Sequence, residues 1–311
     1  MKIFYKNKTP RHTDYYFLGY RFLRKSNYTN RQLHDEIMDV FDYVRACADI
    51  SKMPPAQGLA RQRQLGMLKI LKTVSKFCKH RNIKFWLDYG TLLGAVRHKG
   101  FIPWDDDADI SMMRDDYEKF VELFNLETPD KKLFAEWYCM GGIYNMIKIR
   151  HKDIPFIWLD IFPCDFGYKK LSLAEAIEQT TQIKSMSKKY NKKLKHEKDI
   201  NKLKQFFKDE KEKLPFIGQN NGKPETVFYG LDFYHDREDT VIFDYEMFFP
   251  LKEAEFEGEN FPVLNETETY LTYIFGDYQS LPSKITRHKE GEKTDLCAIL
   301  ALKEYLKSDV I

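Results

Sequence analysis

Apolar residues recur at two different periods along the chain, and the switches between them predict its elements. Over residues 29–50, Leu33, Ile37, Val40, Phe41 and Val44 fall at helical spacing, and Pro54-Pro55 then break the chain. A second helix is predicted over about 62–80, where Leu65, Leu68, Leu71, Val74 and Cys78 repeat at three- and four-residue steps. The period then shortens to two. Ile83, Phe85 and Leu87 alternate with Lys84, Trp86 and Asp88, a strand that Gly90 ends. Residues 91–98 have the composition of a short helix with Thr91 near its start, and Lys99-Gly100 make a turn. Alternation returns with Ala108, Ile110 and Met112 on one face and Asp107, Asp109 and Ser111 on the other. An amphipathic helix carrying Tyr117, Phe120, Val121 and Phe124 follows, then strand-like runs at about 143–150 and 156–162.

Helices and strands interleaved in this way predict an α+β or α/β chain. Over residues 171–213 the composition shifts to Lys-rich helix with acids mixed in, read as a helical insertion with a solvated face or as a basic surface facing an anionic acceptor or membrane. Gly218 to Gly222 reads as a loop, and a last helix is expected over 293–307. Four segments result: an N-terminal arm and helix at 1–58, a core at 59–170, the helical insertion at 171–225, and a C-terminal part at 226–311 that completes the substrate site.

The candidate chemistry lies in the middle of the core segment. Asp105, Asp106, Asp107 and Asp109 put four carboxylates within five residues, and these repel one another unless something positive sits among them. In a water-exposed loop this would be an ordinary acidic turn. Here Pro103-Trp104 and Ile110 frame the cluster, and Asp107 and Asp109, at i and i+2 of a strand, point to one side, suited to sharing Mg²⁺ or Mn²⁺. Upstream, Gly90-Thr91-Leu92-Leu93-Gly94 sets a glycine and a hydroxyl at a helix start, where free N–H groups face an anion. A phosphate cradle beside a metal pair is what metal-assisted phosphoryl or nucleotidyl transfer requires. Arg97, His98 and Lys99 lie between the two elements and either hold phosphate oxygens or face solvent, while Asp88 bonds backbone or substrate. Asp160, inside the apolar run Trp158-Leu159-Asp160-Ile161-Phe162, is the candidate third acid; its competing reading is a buried ion pair with Lys148 or Arg150. Asp165, beyond Pro163, ranks below it.

The stretch FWLDYGTLLGAVRHKGFIPWDDDADI, residues 85–110, closely resembles the signature of the LicD family, which includes bacterial phosphocholine transferases and, more distantly, the fukutin-related proteins. The resemblance runs over about 65–166 and resumes at Tyr270-Leu271, Tyr273, Phe275-Gly276-Asp277-Tyr278, Leu281-Pro282 and His288, which look like the family's closing motif. It implies a nucleotidyltransferase-like mixed sheet flanked by helices. It further implies Asp107 and Asp109 as metal ligands, Asp160 as the third acid, and Gly90-Thr91 near the donor phosphates. The implied donor is a CDP-linked alcohol, commonly CDP-choline, whose phosphoalcohol passes to a sugar hydroxyl of a cell-surface glycan or glycolipid as CMP leaves. Asp160 or Asp105 would take the hydroxyl proton, and Arg97, His98 or Lys99 would offset leaving-group charge. Ribitol phosphate is the alternative cargo. Phe275, where the family usually has Tyr, and Gln279-Ser280 after Tyr278 depart from the closing pattern, which bears on the acceptor. A choline group would rest on aromatic faces, with Trp86, Trp104, Trp137, Tyr144, Trp158, Tyr229 and Tyr234 as candidates.

Composition alters this picture only at the edges. A net charge of +3 over 311 residues gives no argument for nucleic acid. Residues 1–31, however, hold eight Lys/Arg against one acid, interleaved with aromatics, and suit either docking on their own domain or peripheral contact with an anionic membrane. Five scattered cysteines without CxxC spacing fit a reducing cytoplasm, and no apolar run is long enough to span a membrane. Two rivals to phosphoalcohol transfer stand: transfer of a whole nucleotide, and an inactive module that binds nucleotide or glycan.

Overall fold

The computed structural model describes residues 4–8, 13–17, 20–25, 37–40, 42–43, 47–138, 146–194, 197, 199–217, 222–233, 242–282, 285 and 295–308. Two compact units result, one of residues 1–50 with 280–282 and one of the remainder. In the first, the basic, aromatic N-terminal stretch forms an antiparallel three-stranded sheet of β1 (Phe4–Lys8), β2 (Thr13–Phe17) and β3 (Tyr20–Lys25). The helix expected over 29–50 is helical at 37–40, 42–43 and 47 among the described residues.

The second unit is a seven-stranded mixed sheet with helices against it, the α+β architecture expected. Helix α1 (Gly58–Arg81) packs its apolar stripe of Met67, Ile70, Leu71, Val74 and Cys78 into the core. Gly66 lets it press on a C-terminal helix, since a Cβ there would sit 2.8 Å from Leu302 Cδ1. The strand expected over 83–88 is only β4 (Trp86–Leu87), followed by α2 (Tyr89–His98), which begins two residues earlier than expected because Asp88 caps it. Next come β5 (Asp109–Met113), α3 (Arg114–Glu127), β6 (Leu133–Tyr138), β7 (Met146–His151) and β8 (Ile154–Gly167). β8 runs straight through Pro163, so Asp165 lies on the strand rather than beyond it.

The Lys-rich segment folds as α4 (Leu173–Leu194) and α5 (Ile200–Lys211), which bury Ala176, Ile183, Tyr190, Leu203 and Phe207 in a small core of their own. Most other described positions on both helices are exposed, as a solvated insertion requires. The C-terminal part then returns to the sheet with β9 (Thr226–Tyr229) and β10 (Ile242–Asp244). A short α6 (Tyr245–Phe248), the hairpin β11 (Lys252–Phe256) and β12 (Glu259–Val263), α7 (Thr267–Phe275) and α8 (Leu296–Lys307) complete it.

Strand order is β10-β9-β8-β5-β4, with β7 on β8 and β6 on β7. β5 and β8 run parallel, whereas the other pairings of this sheet among the described residues are antiparallel. One edge of β8 is shared: its first half pairs β7 and its last residues pair β9. The long strand therefore sits at the centre, buried along nearly its whole length.

Candidate active site

Register builds the site. Parallel pairing sets Asp109 of β5 directly opposite Asp160 of β8, and antiparallel pairing sets Lys148 of β7 opposite Asp160 on the other side. Directly paired residues on neighbouring strands point to the same face, so these three side chains form one row. Asp107 is not on the strand as expected; it lies in the segment leading into β5, and the Asp160 N–H donates to the carbonyl of Ala108 at 2.8 Å. Carboxylate oxygens of Asp107, Asp109 and Asp160 nonetheless lie within 4.8 Å of one another, and all three residues are buried. Asp105, Asp106 and Asp107 form a second such group, so Asp107 belongs to both.

The approach to the row is pinned from distant parts of the chain. Gln64 of α1 donates to the carbonyls of Ile102 (3.0 Å) and Asp105 (3.1 Å). The β11–β12 hairpin turns at Glu257-Gly258, both at positive φ, as two-residue hairpin loops require. Glu257 there accepts from Arg61 (2.7 and 2.6 Å) and from the Phe101 N–H (3.0 Å), while its own N–H donates to Lys99 O at 2.8 Å. None of Gln64, Arg61 or Glu257 carried a signal in the sequence, since each acts through a partner far along the chain.

Helix α2 lies along this segment by a stripe at i, i+4 and i+7. A Cβ on Gly90 would sit 2.9 Å from Asp105 Oδ2, and one on Gly94 would sit 2.5 Å from the Gly100 carbonyl. Gly94, expected at the substrate, is thus a packing residue. Arg97 feels Asp105 electrostatically, and its guanidinium donates to the Tyr278 carbonyl and, at 3.0 Å, to His98 Nε2. Burial lowers Arg97 to about 10, with Asp105 and Tyr278 opposing, so it stays charged. Burial and Arg97 together lower His98 to about 4, so it is neutral near pH 7 in the unliganded chain. Lys99 is exposed and caps the far end of α2 in a left-handed conformation. That end is more than two turns from Gly90 and Thr91, roughly 12–14 Å along the axis. Thr91, buried, accepts the Asp109 N–H on its hydroxyl at 2.8 Å, so it fixes the start of the acid strand.

Asp88 is a hub. It is wholly buried and accepts from the Tyr89 N–H (2.7 Å), Tyr229 (2.6 Å), Tyr270 (2.5 Å) and Ser111. Four protein donors leave it no face for substrate, so of its two expected roles it takes the structural one. Burial pushes its pKa up, opposed by those same donors. Tyr89 adopts φ 40°, unusual for an aromatic residue, and stacks on Tyr229 at 5.4 Å. Tyr270 and Tyr278 are where the closing motif meets the site; His288 lies outside the described residues.

Electrostatics mark the row as incomplete. Burial first, then Asp107, Asp160, Asp105 and Asp88, push Asp109 well above the ordinary carboxylate range. Burial, then Asp107 and Asp106, do the same to Asp105, whose Oδ2 is buried without a protein hydrogen-bond partner. Lys148 sits against Asp160 at 2.8 and 2.9 Å, so the ion pair and the acid row, set against each other in the sequence, coexist. Clustered hard oxygen donors and an orphaned carboxylate oxygen fit Mg²⁺ or Mn²⁺. Of the aromatic candidates for a choline group, Trp86 and Trp158 are 0% exposed and Tyr229 is engaged by Asp88, whereas Trp104 and Trp137 are partly exposed. Tyr144 and Tyr234 lie outside the described residues. A cleft of about 830 Å³, lined by Arg114, Asp165, Asp232, Lys204 and Lys208, opens instead at the far end of β5, roughly 16 Å from Asp109 by strand rise.

Comparison with known proteins agrees with this geometry. Residues 82–218 match the LicD/FKTN/FKRP nucleotidyltransferase domain, a span that contains the whole acid row. Over 253 residues the chain is 29% identical to the lipopolysaccharide cholinephosphotransferase LicD of Haemophilus influenzae, covering 71% of this chain and 92% of that one. An uncharacterized protein of Rickettsia typhi is 40% identical over 121 residues, 36% of this chain and 38% of its own length. The human ribitol 5-phosphate transferase FKRP is 27% identical over 84 residues, 26% of this chain and 17% of its own. The acid row and these matches converge: residues 82–218 carry a nucleotidyltransferase domain of the LicD family.

Proposed function

We propose that this chain is a metal-dependent phosphotransferase that moves phosphocholine from CDP-choline to a sugar hydroxyl of a cell-surface glycan, releasing CMP. The observation that carries the reading is the buried triad of Asp107, Asp109 and Asp160 with oxygens within 4.8 Å, in a chain aligned over most of its length with a lipopolysaccharide cholinephosphotransferase. These three residues would hold Mg²⁺ or Mn²⁺, which when bound would supply positive charge to offset that of the donor's diphosphate linkage as CMP leaves. Asp105 is the better base of the two candidates. Both oxygens of Asp160 accept from Lys148, whereas Asp105 Oδ2 has no donor. In the transfer, the sugar oxygen bonds to the phosphorus bearing the alcohol and its proton passes to Asp105 Oδ2. The bond from that phosphorus to the CMP oxygen breaks, CMP keeping the electron pair. Thr91 and Asp88 hold the turn and the strand in register; Trp104, partly exposed and adjacent to Asp105, is the aromatic face nearest in sequence for a quaternary ammonium.

Another CDP-alcohol, ribitol phosphate first, is the second reading, favoured by the match to FKRP. No helix among the described residues is long and apolar enough to cross a membrane; a cytoplasmic enzyme with residues 1–31 touching the inner membrane face is the setting we infer.

The test is a screen of CDP-choline, CDP-ribitol and CDP-ethanolamine with MgCl₂ and candidate glycans, scored by CMP release. Asp107→Ala should lower turnover by about 10³-fold or more while the protein stays folded. A folded Asp107→Ala protein with near-native turnover sinks the assignment, and release of the phosphoalcohol (phosphocholine from CDP-choline) in place of CMP points to nucleotide transfer.

A further inference from the structure

Lys148 stands in the middle of β7 and is 3% exposed, a position where a lysine needs a stated partner. Its ammonium is bound by both oxygens of Asp160, at 2.8 and 2.9 Å. Two rings flank it, Tyr138 at 4.5 Å and Trp158 at 4.9 Å from the ring centroid. Three neighbouring strands fix the arrangement, because Lys148 pairs with Asp160 and Asp160 pairs with Asp109. Arg150, the next cation on the same face of β7, is taken by Glu136. Cation, acid and acid thus stand in one row, with the cation anchored on three sides.

We propose that Lys148 is a positioning residue of the acid site, which clamps Asp160 in one orientation and, as a fixed positive charge, weakens the hold of that site on a divalent cation. The inference rests on the metal reading above. Its two effects oppose each other when the lysine is removed. Loss of the clamp weakens metal binding, typically by 10–100-fold for a group that orients a ligand. Loss of a positive charge one carboxylate away from a divalent ion strengthens binding, and at an effective dielectric of about 20 this Coulomb effect is the larger. The net expectation is tighter binding by about 100-fold or more in Lys148→Met. Lys148→Arg keeps the charge and should bind as the wild type does.

The experiment is calorimetric titration of MnCl₂ into the metal-free full chain without nucleotide, for the wild type, Lys148→Met and Lys148→Arg. The melting temperature of each is followed as MnCl₂ is added. The expected result is about 100-fold or more tighter Mn²⁺ binding in Lys148→Met only, with a thermal deficit that closes as Mn²⁺ fills the vacated charge. Equal or weaker affinity in Lys148→Met, or equal gains in Lys148→Met and Lys148→Arg, overturns the proposal and leaves the metal reading standing. Absence of Mn²⁺ binding in every protein overturns both. If Lys148→Met does not fold without metal, refolding must be restored by MnCl₂, and failure of that rescue also counts against it.

Discussion

β5 carries a buried charge cluster at each end, and the two are opposites. Beyond its C-terminal end, Asp165 accepts from Arg114 (3.2 and 2.8 Å) and Lys211 (2.9 Å), and Asp232 accepts from Arg114 (2.9 and 2.8 Å). Two acids meet two cations there. Gly230 makes the room, since a Cβ on it would sit 2.2 Å from Arg114 Nη2. At the N-terminal end, Asp105, Asp107, Asp109 and Asp160 cluster with Lys148 paired to Asp160 and with Arg97 near enough for Asp105 to raise its pKa. Burial pushes Asp165 up, but Arg114 and Lys211 more than offset it and its net shift is downward; Asp109, buried as deeply, is pushed well up. Burial is common to both ends, so the difference is counter-charge. A balanced cluster is finished structure, and an unbalanced one is a place to which charge must be brought.

Breaking the balanced end should have the largest effect on stability. Arg114→Met leaves two buried carboxylates short of a partner and should cost about 3–5 kcal/mol in urea unfolding; a loss below about 1 kcal/mol would dissolve the contrast. Tyr270→Phe removes one of four donors to buried Asp88 and should cost about 1.5–3 kcal/mol, read by the same unfolding, with a matching fall in turnover. Asp109→Asn should move the other way. It relieves repulsion and should stabilise the metal-free protein by about 1 kcal/mol while CMP release is lost. A destabilisation as large as that of Arg114→Met would make the acid row structural instead.

The smallest effect sharpens the sign. Asp165 has a depressed folded pKa, so its contribution is present above the ordinary carboxylate value of about 4 and disappears as pH falls through the folded value. Asp109 has a raised folded pKa, so in the metal-free protein stability declines as pH rises from about 4 through the folded value, and the penalty persists above it. Thermal melts across pH should show Asp165→Asn flattening the acid limb alone, and MgCl₂ lifting the neutral limb alone.

Much of the site was legible because its residues are close in sequence. Asp105 to Asp109, Gly90 and Thr91 share one 20-residue stretch, and the polar alternation through Asp107, Asp109 and Ser111 marked the strand. The alternation misled on exposure, however: all five residues of β5 are buried, because helices and neighbouring strands enclose both faces. β6 escaped notice because Leu133-Phe134-Ala135-Glu136-Trp137-Tyr138 has no clean period, and its burial is partial at every position but the first. His98 looked like a cation, yet nothing local records the desolvation that lowers it. The hub at Asp88 could not be read at all, for Tyr229 and Tyr270 reach it from 141 and 182 residues away.

Those two tyrosines bear on modularity. Residues 82–218 are the span that matches the family's nucleotidyltransferase domain, but Gln64, Glu257, Tyr229 and Tyr270 lie outside that span, as do β9 and β10. A fragment cut to it would keep every carboxylate of the acid row and lose the anchors that hold them in place. The span recognisable as a domain is here smaller than the set of residues that position its acids, so expression and engineering should keep the chain at the larger size.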